Sequence, residues 1–260
     1  MSHFKAGNRF YFDPSTNLLP PEETHHLVRV LRHKPGDLIL VIDGLGQEFQ
    51  ARFLTIERTK EGEKARVEVL KLTRKELPPR TKITALIPIL KGDLTEFLVE
   101  KGTELGVWRF IPFFSKHTVA KPKKNLAQRL RAKAISALKQ SGRLILPEVL
   151  APVDLKTVIK TIPANSLKVL AHPQGNLSLE NLFSLFERKD LSEVCLISGP
   201  EGGFSEDELS LLFEAGFKPL CLSPYILRAE TASLALMSIA QTLSLSINKE
   251  SQRFHFGFTD

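Results

Sequence analysis

Two short stretches near the carboxyl end of the 260-residue chain have the residue types and spacing to do chemistry. In the first, the apolar run Val194-Cys195-Leu196-Ile197-Ser198 enters Gly199-Pro200-Glu201-Gly202-Gly203-Phe204. In the second, Pro219-Leu220-Cys221-Leu222 enters Ser223-Pro224-Tyr225-Ile226-Leu227-Arg228-Ala229-Glu230-Thr231. Short apolar runs ending in Gly or Pro read as buried parallel strands that open into loops. Two such loops side by side form a pocket at the carboxyl ends of strands. Gly and Pro let the backbone itself approach a ligand. Glu201 and Glu230 are candidate proton acceptors, each with the alternative of capping a backbone turn. The glycine spacing is not Gly-x-Gly-x-x-Gly, and no acidic residue closes a strand about 20 residues later, so a dinucleotide cofactor is discounted. There is no Ser-His-Asp arrangement, no nucleophilic Cys site and no metal cluster.

The elements around these loops follow from capping and periodicity. Ser205 with Glu208 is a capping box, Glu206 and Asp207 suit the helix dipole, and Gly216 supplies the stop. Upstream, Ile83–Leu90, Arg109–Phe114 and Leu167–Ala171 read as strands. Asp93–Leu105 (capped by Asp93 with Glu96), Leu126–Gln140 and Leu177–Arg188 read as helices. The alternation predicts a parallel sheet covered on both faces. The last helix, Glu230–Ile247, is apolar around most of its circumference and must be buried in a core or an interface.

Before this comes a different pattern. Arg9–Phe12, Leu38–Ile42, Glu48–Ile56 and Lys64–Leu72 read as strands, and Glu22–Arg32 as a helix with Leu27, Val30 and Leu31 inward. Such a run closes as a small barrel. The charged, double-proline segment Arg74–Arg80 separates the patterns. The expected organisation is a barrel domain over 1–74, a linker over 75–81 and an α/β domain over 82–260.

The net charge is +7, with 42% hydrophobic residues, enough for a sizeable core. No apolar run approaches a membrane span and no signal-peptide core follows Met1, so a cytoplasmic protein with no membrane partner is expected. Cys195 and Cys221 are both expected in buried strands as small hydrophobes, without disulfide or metal. No acidic residue lies between Glu104 and Glu148, while ten Lys and Arg do. A solvated helix face is the ordinary reading of such a run; its length favours contact with RNA phosphates. Lys121, Lys123, Lys124 and Arg143 in that interval, with Arg9, Arg29 and Arg32 before it, are the candidate RNA contacts.

The two loop motifs resemble the RsmE family, the 16S ribosomal RNA (uracil-N3)-methyltransferases of the SPOUT superfamily. His25-His26-Leu27-Val28-Arg29-Val30-Leu31-Arg32, Lys101-Gly102-Thr103-Glu104-Leu105-Gly106 and Gln140-Ser141-Gly142-Arg143 resemble that family's other motifs. Ser223, Tyr225 and the Ser115-Lys116-His117-Thr118 run depart from it. The resemblance implies a PUA-like RNA-binding barrel followed by a trefoil-knotted domain. It implies a homodimer, S-adenosyl-L-methionine as cofactor, and 16S rRNA of the small ribosomal subunit as partner. The cofactor would lie on Leu170, on Ser198, Gly199, Pro200, Glu201, Gly202 and Gly203, and on Leu222, Ser223, Ile226, Leu227, Arg228, Thr231 and Ala232. Arg228 would hold the base or its phosphate and favour a deprotonated N3. A SPOUT ribose 2′-O-methyltransferase, a non-catalytic RNA-binding protein and a plain nucleotide-binding protein are the alternatives.

Overall fold

The computed structural model describes residues 8–120 and 124–247. The chain divides into two compact units, Met1–Pro78 with Ile135–Leu146, and Pro79–Ala134 with Pro147–Asp260.

The first unit is built on a four-stranded sheet of β1 (Arg9–Tyr11), β2 (Leu38–Ile42), β3 (Gln47–Thr59) and β4 (Gly62–Lys75), in that order. β1 is parallel to β2 and the other pairs are antiparallel. β3 and β4 extend past their apolar alternation because the ladder continues as long as backbone groups can pair, through three register shifts. The core holds Phe10, Phe12, Leu27, Val41, Phe53 and Val67. Helix α1 (Pro21–His25) does not continue to Arg32 as an α-helix. It widens into one π turn, His26–Val30, in which the Leu31 N–H donates to the His26 carbonyl. The wider turn shifts side chains round the axis. Leu27 is therefore fully buried and Val30, expected inward, is 57% exposed.

The second unit alternates β5 (Lys82–Pro88), α2 (Leu94–Glu104), β6 (Arg109–Phe114) and α3 (Leu126–Ser141), the last of which lies in the first unit from Ile135 onward. β7 (Glu148–Val149), β8 (Val153–Asp154) and α4 (Leu155–Thr161) follow, three short elements with no clear periodicity in the sequence. The chain continues with β9 (Leu167–Ala171), α5 (Leu179–Phe186), β10 (Glu193–Ile197), α6 (Glu206–Glu214), β11 (Lys218–Leu220) and α7 (Ala229–Ile247). The sheet order is β11-β9-β10-β5-β6-β7, with β8 also on β6, and every pairing is parallel. Cys195 and Ile197 pack in a cluster with Val158 of α4 and Leu212 of α6. Successive strand residues face opposite ways, and Val194 and Leu196 are buried too, so both faces of β10 are covered. Among the described residues no helix is long and apolar enough to cross a membrane.

Two further expectations are corrected. Asp93 makes no side-chain cap on α2; instead Glu96 is drawn inward, 2% exposed, to meet Arg129 of α3 at 2.7 Å. β11 ends at Leu220, so Cys221 lies beyond the strand and is exposed rather than buried. Cys195 is buried, and desolvation pushes its thiol up to about 12. Alkylation of the native protein at neutral pH is expected to modify Cys221 and to reach Cys195 only in denaturant; mass spectrometry showing native modification of Cys195 would contradict this core.

Gly102 sits inside α2, where alanine normally gains about 1 kcal/mol. A Cβ there would lie 2.7 Å from the ring of Phe110, which is fully buried, and 3.0 Å from the Met237 sulfur. Overpacking costs about 1–3 kcal/mol, so it outweighs the propensity gain. Gly102→Ala is expected to lower the midpoint of urea unfolding; a raised midpoint would show that the ring yields.

Candidate functional site

The loop after β10 is held on three sides. Ser198, 2% exposed, sits 2.5 Å from Ser233 of α7. The Ser233 hydroxyl donates to the Ala229 carbonyl, which leaves Ser198 as the donor between them. Gly203 takes a φ of +68°, and a Cβ on Gly199 would stand 3.3 Å from Gly203 Cα, so the turn is closed backbone against backbone. Glu201 Oε1 accepts the Lys91 N–H at 3.1 Å, fastening the Gly-rich loop to the loop after β5. Its carboxylate therefore caps a neighbouring turn. On the third side His117 Nδ1–H donates to the Gly202 carbonyl at 3.1 Å, and a Cβ on Gly202 would stand 2.8 Å from His117 Cβ. Phe204 stacks on Phe113 of β6. α6 then starts with the expected capping box of Ser205 and Glu208. The same Glu208 accepts the Lys116 N–H at 2.7 Å.

The second loop lies beside the end of β9. The His172 N–H donates to the Leu220 carbonyl, and a Cβ on Gly175 would come within 2.4 Å of the Cys221 nitrogen. Leu222, Ser223 and Leu227 are partly buried, and Ser223 Oγ accepts the Tyr225 N–H at 3.1 Å. Tyr225 and Ile226 are 79% and 94% exposed. Arg228 is exposed at the start of α7, where the helix dipole disfavours a cation by about 0.3–1 kcal/mol. Stability therefore does not account for it. Glu230 and Thr231 follow in the first turn with Ala232, while Leu170 is fully buried in the core and offers a ligand no side chain.

Two cavities adjoin these loops. One of about 170 Å³ lies after β5, with Leu90, Lys91, Thr95, Glu96, Ala120 and Leu126 in its wall. The other is an open groove of about 730 Å³ between α2 and α7, lined by Phe97, Leu105, Glu230, Thr231, Leu234 and Ala235. Sequence reasoning took Glu96 for a capping residue and missed both His117 and the first cavity. A first-turn glutamate suits the helix dipole wherever it points, so nothing in the sequence reveals its burial. Among the described residues no group of three or more His, Cys, Asp or Glu could hold a metal ion.

The candidate RNA contacts are scattered. Arg9 binds the buried Glu48 at 2.5 Å. Arg29 and Arg32 are exposed, Arg32 in the left-handed region at φ +58°. Burial pulls the Arg143 guanidinium down to about 10, against the opposing charge of Glu76. Lys124 is exposed; Lys121 and Lys123 lie outside the described residues. The stretch that is acid-free in sequence is not so in space. Arg109 meets Glu148 and Glu193, Arg129 meets Glu96, Lys133 meets Glu100 and Lys139 meets Glu23.

Residues 76–241 match a family model described as an RNA methyltransferase domain, and residues 19–60 one described as an RNA methyltransferase PUA domain. The chain is 32% identical to ribosomal RNA small subunit methyltransferase E of Synechocystis sp., over 86% of this chain and 73% of that protein. It is 31% identical to the protein of the same name from Bacillus subtilis, over 84% and 86%. The crystal structure of the Neisseria gonorrhoeae protein of that name, bound to S-adenosyl methionine, superposes with a TM-score of 0.77 at 30% identity, covering 91% of this chain and 98% of that one.

Removing the Ser205 hydroxyl deletes one cap bond, worth about 0.5–2 kcal/mol. Glu208→Ala removes the acceptors for both Ser205 N–H and Lys116 N–H. It is expected to lower urea stability more than Ser205→Ala does and to speed proteolysis within 115–118; equal losses would mean that the Lys116 link contributes nothing.

Proposed function

Because the chain belongs to the RNA methyltransferase family, among the ribosomal RNA small subunit methyltransferase E proteins, we propose that it methylates N3 of a uridine in 16S rRNA. S-adenosylmethionine, when bound, supplies a methyl group activated on a sulfonium. The observation that carries this reading is the backbone cradle at Gly199–Gly203, where added Cβ atoms at Gly199 and Gly202 would meet neighbours within 3.3 Å. A cradle so closed can offer N–H and C=O groups to an adenosine without side chains in the way. Ser198, Gly199–Gly203, Leu222, Ser223, Ile226, Leu227, Thr231 and Ala232 would hold the cofactor. The exposed Tyr225 and Ile226 would cover it from solvent, which strengthens electrostatic contacts in the site.

Arg228 is the cation that would orient the RNA at the reacting base and stabilise negative charge as N3 loses its proton. The groove beside α2, to which α7 contributes the partly buried Leu234 and Ala235, fits a second copy of the chain, giving a homodimer, and the knotted topology of SPOUT enzymes belongs to the same proposal. A cytoplasmic location follows from a ribosomal substrate. A ribose 2′-O-methyltransferase or a non-catalytic RNA binder has no specific observation in its favour.

Incubation with small-subunit RNA and labelled S-adenosylmethionine, followed by mass-spectrometric nucleoside analysis, is expected to yield 3-methyluridine; a 2′-O-methyl product would overturn the reading. Arg228→Ala is expected to slow methylation at saturating RNA while leaving the salt dependence of RNA binding in place. Replacing Lys121, Lys123 and Lys124 together by Ala should instead flatten log K against log salt by about 0.7–0.9 per lost contact and spare cofactor affinity. Light scattering is expected to show a dimer that Leu234→Asp weakens.

A further inference from the structure

Two turns from different strands meet at the Gly-rich loop. One runs from Pro200 to Gly203 and is closed by the Gly203 N–H, which donates to the Pro200 carbonyl at 2.9 Å. The other follows β6. There the Thr118 N–H donates to the Ser115 carbonyl at 3.0 Å, and the Ser115 N–H to Thr118 Oγ1 at 2.8 Å. Phe204 stacked on Phe113, and the Lys116 N–H donated to Glu208, dock the second turn beside the first. Neither anchor involves the imidazole of His117, so the turns stay docked without it.

The imidazole has a narrower task. Its Nδ1 lies 3.1 Å from the Gly202 carbonyl, and because a carbonyl oxygen can only accept, Nδ1 carries the proton. The peptide that contains this carbonyl also contains the Gly203 N–H, which Pro200 accepts. One peptide unit is therefore gripped at both ends, by its own turn and by His117. That peptide joins two glycines, where no Cβ limits rotation and the backbone has the most freedom to lose. A side chain at Gly202 could not take over the task, since a Cβ there would stand 2.8 Å from His117 Cβ and 3.3 Å from the His117 carbonyl oxygen. Glu201 fastens the loop to Lys91 through its side chain and does not set the plane of this peptide. The His117 hydrogen bond is exposed, so water can replace it at little cost to the fold. Its loss is felt in the loop.

Resting on the methyltransferase reading above, we propose that His117 is a positioning residue for the cofactor: by holding the Gly202–Gly203 peptide it keeps the cradle in its binding shape before S-adenosylmethionine arrives. Without the imidazole the free loop samples other orientations of that peptide. Only the competent fraction binds, so the observed dissociation constant rises by the reciprocal of that fraction. The net worth of one such hydrogen bond corresponds to about 2–10-fold in an equilibrium. The effect falls on binding more than on methyl transfer, because a seated cofactor holds the peptide through its own contacts. His117 lies in the Ser115–Thr118 run that departs from the family's pattern, so the motif match alone does not assign it this role.

Calorimetric titration of the full chain with S-adenosylmethionine tests this directly. His117→Ala should raise Kd by about 2–10-fold, and the loss should appear in KM for the cofactor rather than in kcat. His117→Asn carries an amide N–H as many bonds from the backbone as Nδ1 and should restore the unmutated Kd. His117→Gln, one bond longer, should not. An unchanged Kd in the Ala variant, an Asn variant as weak as Ala, or a Gln variant as good as Asn would each overturn the assignment. A second measurement needs no cofactor: native-state hydrogen exchange at the Gly203 amide should be faster in the Ala and Gln variants than in the Asn variant or the unmutated protein, at the same urea midpoint. Faster exchange throughout the second unit with a lowered midpoint would mean that His117 serves the fold instead, and would also overturn it. If the unmutated chain binds neither S-adenosylmethionine nor S-adenosylhomocysteine, the underlying reading has failed; if it binds and His117→Ala binds as tightly, this inference alone has failed.

Discussion

The constraint on which the rest of the second unit depends is the double pairing of β10. Its five residues pair in parallel with β5 on one side, and four of them, Val194–Ile197, with β9 on the other. Every backbone N–H and C=O of a strand so buried must be bonded, because an unpaired one costs as much as a lost hydrogen bond. The register is therefore fixed to the residue: Ile197 is level with Leu170 and with Leu86. Parallel strands in register end together. The loops after β5, β9 and β10 consequently emerge at one edge of the sheet, and stretches that follow Pro88, Ala171 and Ile197 become neighbours.

Given that edge, the loops are not free to take any shape. Backbone is packed on backbone at Gly199, and on the Cβ of His117 at Gly202. Glu201 and Glu208 reach out to the N–H groups of Lys91 and Lys116. Each of those hydrogen bonds is charge-assisted and about twice as strong as a neutral one. Their effect is to make the Gly-rich loop a fixed part of the wall rather than a flap. A site built this way spends its rigidity before the ligand arrives, as positioning chemistry requires.

Local signals in the sequence carried the architecture well. The capping box at Ser205, the glycine stop after α6 and the alternation of strands and helices are determined by neighbours in sequence, and the structure has them where the pattern puts them. Signals that depend on distant partners did not carry. Asp93 had the right type and place for a cap, yet Arg129, in the next helix, decides where the charge of that turn goes. Val30 had the right period for an α-helix but stands outside because the turn is a π turn. Cys221 continues the apolar run of β11 in sequence, yet that strand is only three residues long and ends at Leu220. The motif residues pointed to the cofactor loops; the buried Glu96 beside them carries no motif signature, since its burial comes from the packing of α2 and from Arg129.

The same separation between local and distant information governs the charge. A run of ten cations without an acid reads as a patch, but ion pairs with Glu23, Glu96, Glu100, Glu148 and Glu193 remove several of them from the count. Pairing removes charges of both signs equally. The excess of seven positive charges over the whole chain is therefore unchanged by pairing. Such an excess acts over a Debye length of about 8–10 Å and raises the encounter rate with a polyanion without choosing a nucleotide. Choice needs a group that meets a base edge out of water, where hydrogen-bond pattern outweighs net charge. Attraction and selection are thus separate physical demands, and different residues can meet them.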